Sequence, residues 1–412
     1  MKKNLSALFF GISVAACAQL QVFTLDLTAN DLVYDSNTNK IYASIPSANG
    51  SNGNSIGIIN PNTITLDNTV FIGSEPTFLA ISDNGQYIYS GFSGASIVRR
   101  FDVATQTADI QFTLGADPTT GPFYVEDIEV MPGQPGTIAV ARKNNGYSPK
   151  HEGIAIYDNG VMRPTTTPDH TGSNKIEFTG PNALIGYNNE TTEFGIRRLS
   201  VNSSGVTNLG VTQSVLNSFY LDFIYHDNKM YSIDGKVVDA TTAPFVIGQF
   251  SNVYGPVAYD TYYNKVAFAT YDYSGNITFK RFNPNTFLLT DSLPISQAFG
   301  NVKSLITCGN GCYAFASTGN KVVIIKDATL AVSETVSTPK VTIYPIPTSD
   351  FINIKSDTEI KEAIVYELSG KVVSRAVNQN NRIDIKDVPS GVYILKITDA
   401  KGNVSTEKII KR

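Results

Sequence analysis

A strand, a turn rich in Asn, Asp and Gly, and a second strand rich in Tyr and β-branched residues return seven times along this chain. Few features constrain a fold more. The unit reads DLVYDSNTNKIYASI at 31–45, TFLAISDNGQYIYSGF at 77–92, VEDIEVMPGQPGTIAVAR at 125–142 and NKIEFTGPNALIGYN at 174–188. It continues as LDFIYHDNKMYSID at 221–234, GPVAYDTYYNKVAFATYD at 255–272 and VKSLITCGNGCYAFAST at 302–318. A third apolar strand and another turn follow each unit. Tyr34, Ile81, Ile128, Ile176 and Phe223 are separated by 47, 47, 48 and 47 residues, and the fifth unit is shorter.

Such a unit cannot bury its apolar faces alone, so repetition at this period predicts four-stranded antiparallel sheets stacked side by side. The expected fold is all-β: a seven-bladed β-propeller over 19–332, then a linker at 333–339 and a small antiparallel β-sandwich over 340–412. The strand VFTLDL at 22–27 precedes the first unit and is expected to complete the last blade, leaving no open sheet edge in the ring. The repeats resemble the YVTN and NHL-type propellers, with PTFLAISDNGQYIYSG at 76–91 the best local match. That resemblance implies a scaffold used by hydrolases, lyases, redox enzymes and interaction platforms alike, so it selects no activity.

The two ends concern destination. Residues 1–18, MKKNLSALFFGISVAACA, place Lys2 and Lys3 before an apolar run and small residues, the layout of a cleavable signal peptide; the run is too short to span a bilayer. The segment around Cys17 also resembles a lipobox, and the soluble intermediate implied by the tail favours plain cleavage over lipidation. After 340, apolar residues recur two apart: Ile352 and Ile354; Ile364, Tyr366 and Leu368; Ile383 and Ile385; Tyr393, Leu395 and Ile397. This is the period of half-buried strands. The blocks YPIPTSDFINI (344–354), VYELSGKVV (365–373), VPSGVYILKI (388–397) and EKIIKR (407–412) resemble the type A C-terminal sorting domain of the type IX (Por) secretion system of Bacteroidetes. Tyr344, Pro345, Pro347, Gly370, Gly391 and Lys411 carry the resemblance, and Ile346 departs from it, since the family usually has Asn between the prolines. The resemblance implies export through the type IX machinery and release or attachment at the outer cell surface.

Charge and cysteine content narrow the partners. The net charge of −4 hides 12 basic and 9 acidic residues from Lys340 onward, which with the two signal lysines removed leaves 18 basic and 27 acidic in the body. An acidic body disfavours nucleic acid and anionic membranes. Once Cys17 leaves, Cys308 and Cys312 remain, flanking Gly-Asn-Gly, and are expected to form a local disulfide.

No catalytic motif stands out. The longest connections, PSANGSNGNS (46–55), GADPTTGPFYVED (115–127) and RKNNGYSPKHEG (142–153), belong to the first and third units. Loops on a rigid scaffold are where binding residues concentrate. Tyr124, Glu126, Asp127, Arg142, Lys143 and His151 are the ligand-binding candidates: Glu126 or Asp127 for a hydroxyl or metal, Arg142 for a carboxylate or phosphate. The alternative is that these charges simply occupy solvated loops. No cofactor is expected, although a divalent metal would suit the enzyme reading, and a His151–His170 metal pair lacks ligand-like spacing. The expected function is a secreted or cell-surface binding module for a glycan, peptide or protein. The alternatives are a lactonase-like or polysaccharide-active hydrolase or lyase, and a structural adhesion or surface-layer component.

Overall fold

The computed structural model describes residues 20–327, 342–356, 359–367, 371–377, 381–400 and 404–412. The expected signal peptide with Cys17, the linker 333–339, and Gly370 lie outside the described residues. Two compact units divide the chain, one up to Ala331 and one from Val332.

In the first unit, seven antiparallel sheets follow one another among the described residues. The first runs Leu32–Asp35, Lys40–Ile45, Ser55–Asn60 and Thr65–Phe71. The inner strands of the next six are Pro76–Ile81, Gly121–Val130, Lys175–Gly180, Phe223–His226, Val257–Asp260 and Val302–Thr307. Each inner strand contacts the next, and the seventh contacts the first, so the sheets form a closed ring. Closure is made by Leu20–Asp26, which pairs antiparallel with Lys321–Asp327 and serves as the outer strand of the seventh sheet.

The turns between inner and second strands explain why the repeats read as they do. In the first sheet Asp35 accepts hydrogen bonds from the Asn37 and Thr38 amides (3.0 and 3.1 Å), while Asn39 takes a left-handed φ of 53°. In the sixth, Asp260 accepts from Tyr262 and Tyr263, and Asn264 has φ 51°. Asn tolerates that conformation, and Asp satisfies the amides that the turn leaves unpaired. The Tyr34 hydroxyl donates to Asn39 Oδ1 and Tyr259 to Asn264 Oδ1, tying strand to turn.

Second strands are covered on both faces by neighbouring sheets, so they read as unbroken apolar runs. Tyr42, Tyr89, Tyr187, Tyr231 and Tyr313 recur there and are all buried, which assigns these tyrosines to packing. Fully burying side chains such as Phe268 and Phe315 stabilises by about 1.5–3 kcal/mol each. Cys308 and Cys312 are joined by a disulfide across the turn, with Cα atoms 4.9 Å apart.

The second unit has two antiparallel sheets, Thr342–Tyr344, Phe351–Lys355 and Arg382–Asp384 in one, and Val372–Val377, Ile360–Glu367, Gly391–Asp399 and Val404–Lys411 in the other. Ile352, Ile354, Ile383, Ile385, Leu395, Ile397 and Ile409 share one core. One strand faces the other way from the expectation. Ala363 and Val365 are buried in place of Ile364 and Tyr366, because pairing sets Ala363 opposite Ile397 and Val365 opposite Leu395. Residues directly opposite share a face, so the partners' register decides the matter over side-chain size. Among the sorting residues, Tyr344 is half exposed and Gly391 pairs with Lys411. No helix among the described residues is long and apolar enough to cross a membrane.

Candidate functional site

All seven inner strands or the residues leading into them line one cavity of about 720 Å3, which places it on the ring axis. Pockets that hold small ligands typically measure roughly 300–1,000 Å3. Side chains that alternate along each inner strand reach it, which brings Asp127 with Glu129 from one strand and Lys175 with Glu177 from the next. Asp31 and Asp222 come from the residues preceding the first and fifth inner strands, and Lys303 from the seventh.

Backbone amides position several of the acids. Asp31 Oδ2 accepts from the Leu79 amide of the neighbouring sheet at 2.9 Å, and its Oδ1 accepts from Leu32 at 2.8 Å. Asp127 Oδ2 accepts from the Ile176 amide, also of the next sheet, at 2.8 Å. Asp222 Oδ1 accepts from Phe223 at 2.8 Å. The bonds to Leu79 and Ile176 tie adjoining sheets together, while those to Leu32 and Phe223 fix the carboxyl against its own strand.

Lys175 is the electrostatic hub. Its Nζ lies 2.9 Å from Asp222 Oδ2 and 3.7 Å from Asp127 Oδ1. Burial alone would lower its ammonium, but the Asp127 and Asp222 carboxylates outweigh burial and hold it above its ordinary value. The acids are driven the other way. Burial lifts Asp31 to about 6, and burial with repulsion from Asp222 lifts Asp127 to about 7 against the pull of Lys175. Glu129 and Glu177 are raised well above the usual carboxylate range, first by burial and then by repulsion, Glu129 by Glu177 and Asp127, Glu177 by Asp127 and Asp222. Burial pushes Lys303 down, and its Nζ donates to Asn30 Oδ1 at 2.8 Å.

Aromatic rings complete the lining. Phe78 sits with its ring centroid 5.1 Å from Lys175 Nζ, an attractive cation–π arrangement. Tyr220 (81% exposed) and Tyr254 (47% exposed) stand at the wall, with Tyr271 edge-on to Tyr254. Tyr220 holds a left-handed φ of 61°, an unfavourable conformation for a bulky residue.

Of the six residues singled out from sequence, Asp127 alone lines this cavity. Glu126 is not part of the lining and forms an ion pair with Lys143 at 2.8 Å, whose ammonium also lies 5.8 Å from the Phe78 ring. Tyr124 is paired with Lys143 in the sheet. The stretch 115–127 is largely strand, since Ala116–Asp117 and Gly121–Val130 extend the third sheet; in 142–153 the two ends are strand, Thr137–Asn144 pairing with His151–Asp158, and 145–150 form the connecting loop. Arg142 is buried, donates to the Gly153 and Leu114 carbonyls (3.4 Å each) and lies over the Phe123 ring; it is not displayed to a ligand. His151 is 1% exposed, and burial with the nearby Arg197 and Arg142 pushes its imidazole down to about 3. His151 and His170 meet through backbone, the His170 amide donating to the His151 carbonyl at 2.8 Å. Among the described residues, no three His, Cys, Asp or Glu side chains stand close enough to hold a metal ion.

Sequence reasoning missed Asp31, Lys175 and Asp222. A signal existed: each, like Asp127, directly precedes an apolar inner-strand residue, Leu32, Ile176, Phe223 and Ile128 respectively.

Comparison with known proteins separates the two units. Residues 342–412 match the family described as secretion system C-terminal sorting domain. The protein is exported by the type IX route. It is therefore a secreted or cell-surface protein, handled by the type IX machinery. Beta-agarase D of Zobellia galactanivorans is 40% identical over 73 residues, which are 18% of this chain and 15% of that protein; the likeness is confined to the tail. The ring resembles solved β-propellers. The Cps50 (Swd1) β-propeller domain of Myceliophteria thermophila superposes with a TM-score of 0.56 at 12% identity, over 73% of this chain and 96% of that one. Hydrazine synthase of Kuenenia stuttgartiensis gives 0.55 at 14%, over 77% and 99%. At such identities the likeness shows the fold alone.

Proposed function

We propose that this is an exported seven-bladed propeller of the YVTN/NHL type that binds a ligand in its axial cavity. The observation that carries the reading is the gathering of Asp31, Asp127, Glu129, Glu177 and Asp222 around one ligand-sized space. Packing does not call for such a set. Half-buried carboxyls that repel one another weaken a fold, and clusters of perturbed groups in a cleft mark functional sites. The aromatic wall and the strained Tyr220 backbone support the same reading. The sorting tail delivers the ring to the outside of the cell, where a glycan, a peptide or a protein would be met.

A hydrolase or lyase in the same cavity is the second reading, and Asp127 favours it, because a carboxyl titrating at about 7 suits proton transfer near neutrality.

The test is a thermal-shift screen of the full mature chain against glycans, lactones, amines and peptides, repeated with Asp222→Asn. A ligand at a hundred times its Kd stabilises by about 2.7 kcal/mol. The reading expects a shift that Asp222→Asn abolishes. Shifts untouched by that substitution and by Lys175→Met would move the site off the axis.

A further inference from the structure

We infer that the axial cavity recognises an organic cation, an ammonium or guanidinium group carried on an extended aliphatic chain. This rests on the binding reading above and names its ligand class.

The argument is one of carboxyls without an ion-pair partner, set between aromatic walls. The cavity's own cations are already engaged: Lys175 by Asp222 and Asp127, and Lys303 by Asn30. Glu129 and Glu177 lie one step further along the same faces of their strands, about 6–7 Å beyond Asp127 and Lys175. Among the described residues neither of these glutamates forms an ion pair. An elongated ligand with a positive end would reach them past the tier formed by Asp127 and Lys175.

The walls suit the same group. Phe78 already faces two ammonium groups, Lys175 at 5.1 Å and Lys143 at 5.8 Å, so this lining accepts a cation against a ring. Tyr220, Tyr254 and Tyr271 offer further rings on the opposite arc, where the electron-rich ring faces attract positive charge. A divalent metal is a poorer fit, since no three ligating side chains converge among the described residues. A neutral saccharide would use the rings and could hydrogen-bond to protonated glutamates, but it would not favour their ionisation, so its binding would lack the pH dependence expected of a cation.

The raised Asp31, Asp127, Glu129 and Glu177 carboxyls sharpen the test. Facing them are Lys175, Lys303, Asp222 and the three tyrosines. An incoming cation favours the ionised carboxylates, so protons and ligand compete, and affinity must rise with pH while the amine stays charged.

Isothermal titration calorimetry on the full mature chain at low salt decides the matter, using spermidine and a neutral-capped tripeptide centred on lysine as probes, with cellobiose and calcium as contrasts. The expected result is amine binding that strengthens about tenfold between pH 5.5 and 7.5, releases about half a proton or more at pH 7, and weakens at least tenfold in Glu129→Gln/Glu177→Gln. Spermidine alone binding points to a free polyamine; the tripeptide alone points to a basic side chain of a peptide. If the double variant does not fold, proton release by the unaltered chain, read from the buffer dependence of the enthalpy, carries the test. Binding of cellobiose or calcium without either amine overturns the cation inference and leaves the cavity reading standing. Amine binding that ignores both pH and the double variant overturns both, and so does silence from every probe.

Discussion

Replacing Asp127 with Asn should make the ring more stable, and only at the right pH. The Asp127 carboxyl moves from an ordinary 3.8 to about 7 on folding. Between these values the folded chain holds a proton that the unfolded chain has lost, so stability falls as pH rises, and the deficit is complete above about 7. A shift of about three units at 1.36 kcal/mol each sets a ceiling of about 4 kcal/mol. Two features reduce it. The proton is shared among repelling neighbours, Glu129 and Glu177 included, and Lys175 loses one of its two carboxylates. The introduced carboxamide keeps an oxygen acceptor for the Ile176 amide, so the sheet-to-sheet bond survives. The net expectation is a gain of roughly 1–3 kcal/mol at pH 8 that shrinks to nearly nothing at pH 4. With no Trp and 21 Tyr in the chain, urea unfolding followed by tyrosine fluorescence at pH 4, 6 and 8 is a direct assay. A gain that stays constant with pH, or a loss that deepens toward pH 8, would refute the reasoning. Stability gained this way should come with weakened binding, the exchange expected of a functional site.

Two further outcomes concern the scaffold. Cys308→Ser with Cys312→Ser should destabilise the ring by about 2 kcal/mol, since so short a loop restricts the unfolded chain only modestly; urea midpoints with and without reductant check it, and a drop more than twice as large would mean that the bridge supports native packing. Gly172→Ala drives a methyl into the His151 ring, which is enclosed, and should cost about 1–3 kcal/mol by the same assay; an unchanged midpoint would show that the ring can swing aside.

The architecture was legible because it is repetitive. Asp-initiated turns, left-handed Asn residues and doubly covered second strands recur, and each recurrence reinforces the reading of the others. The tail was legible for a different reason, in that its short blocks keep their order over the whole segment. The site was harder. Equal spacing of Tyr34 and Ile128, 94 residues apart, sets Asp31 against Val125, whereas the matched bonds to Leu79 and Ile176 make Asp31 equivalent to Asp127, 96 apart. Irregular pairing between Pro76 and Leu79 and between Val125 and Asp127 absorbs the difference. A slip of two residues keeps every apolar face correct and hides which polar residues share a tier. Arg142 and His151 misled for the opposite reason: charged residues in a Gly- and Asn-rich stretch look solvated, yet here the stretch pairs as strand and folds them inward.

The pairing of Leu20–Asp26 with Lys321–Asp327 bears on how such a protein is made. The strand that leaves the ribosome early must wait for a partner some 300 residues later, so the ring cannot close by growing from one end. Completion is a late, whole-chain event, with long-range closure of the slow kind. Until then the seventh sheet has a bare edge and the axial tiers have no fixed geometry. A nascent or partly threaded chain therefore carries no working cavity, and binding competence would arise only after the last sheet is delivered, shortly before the export signal that follows it in sequence.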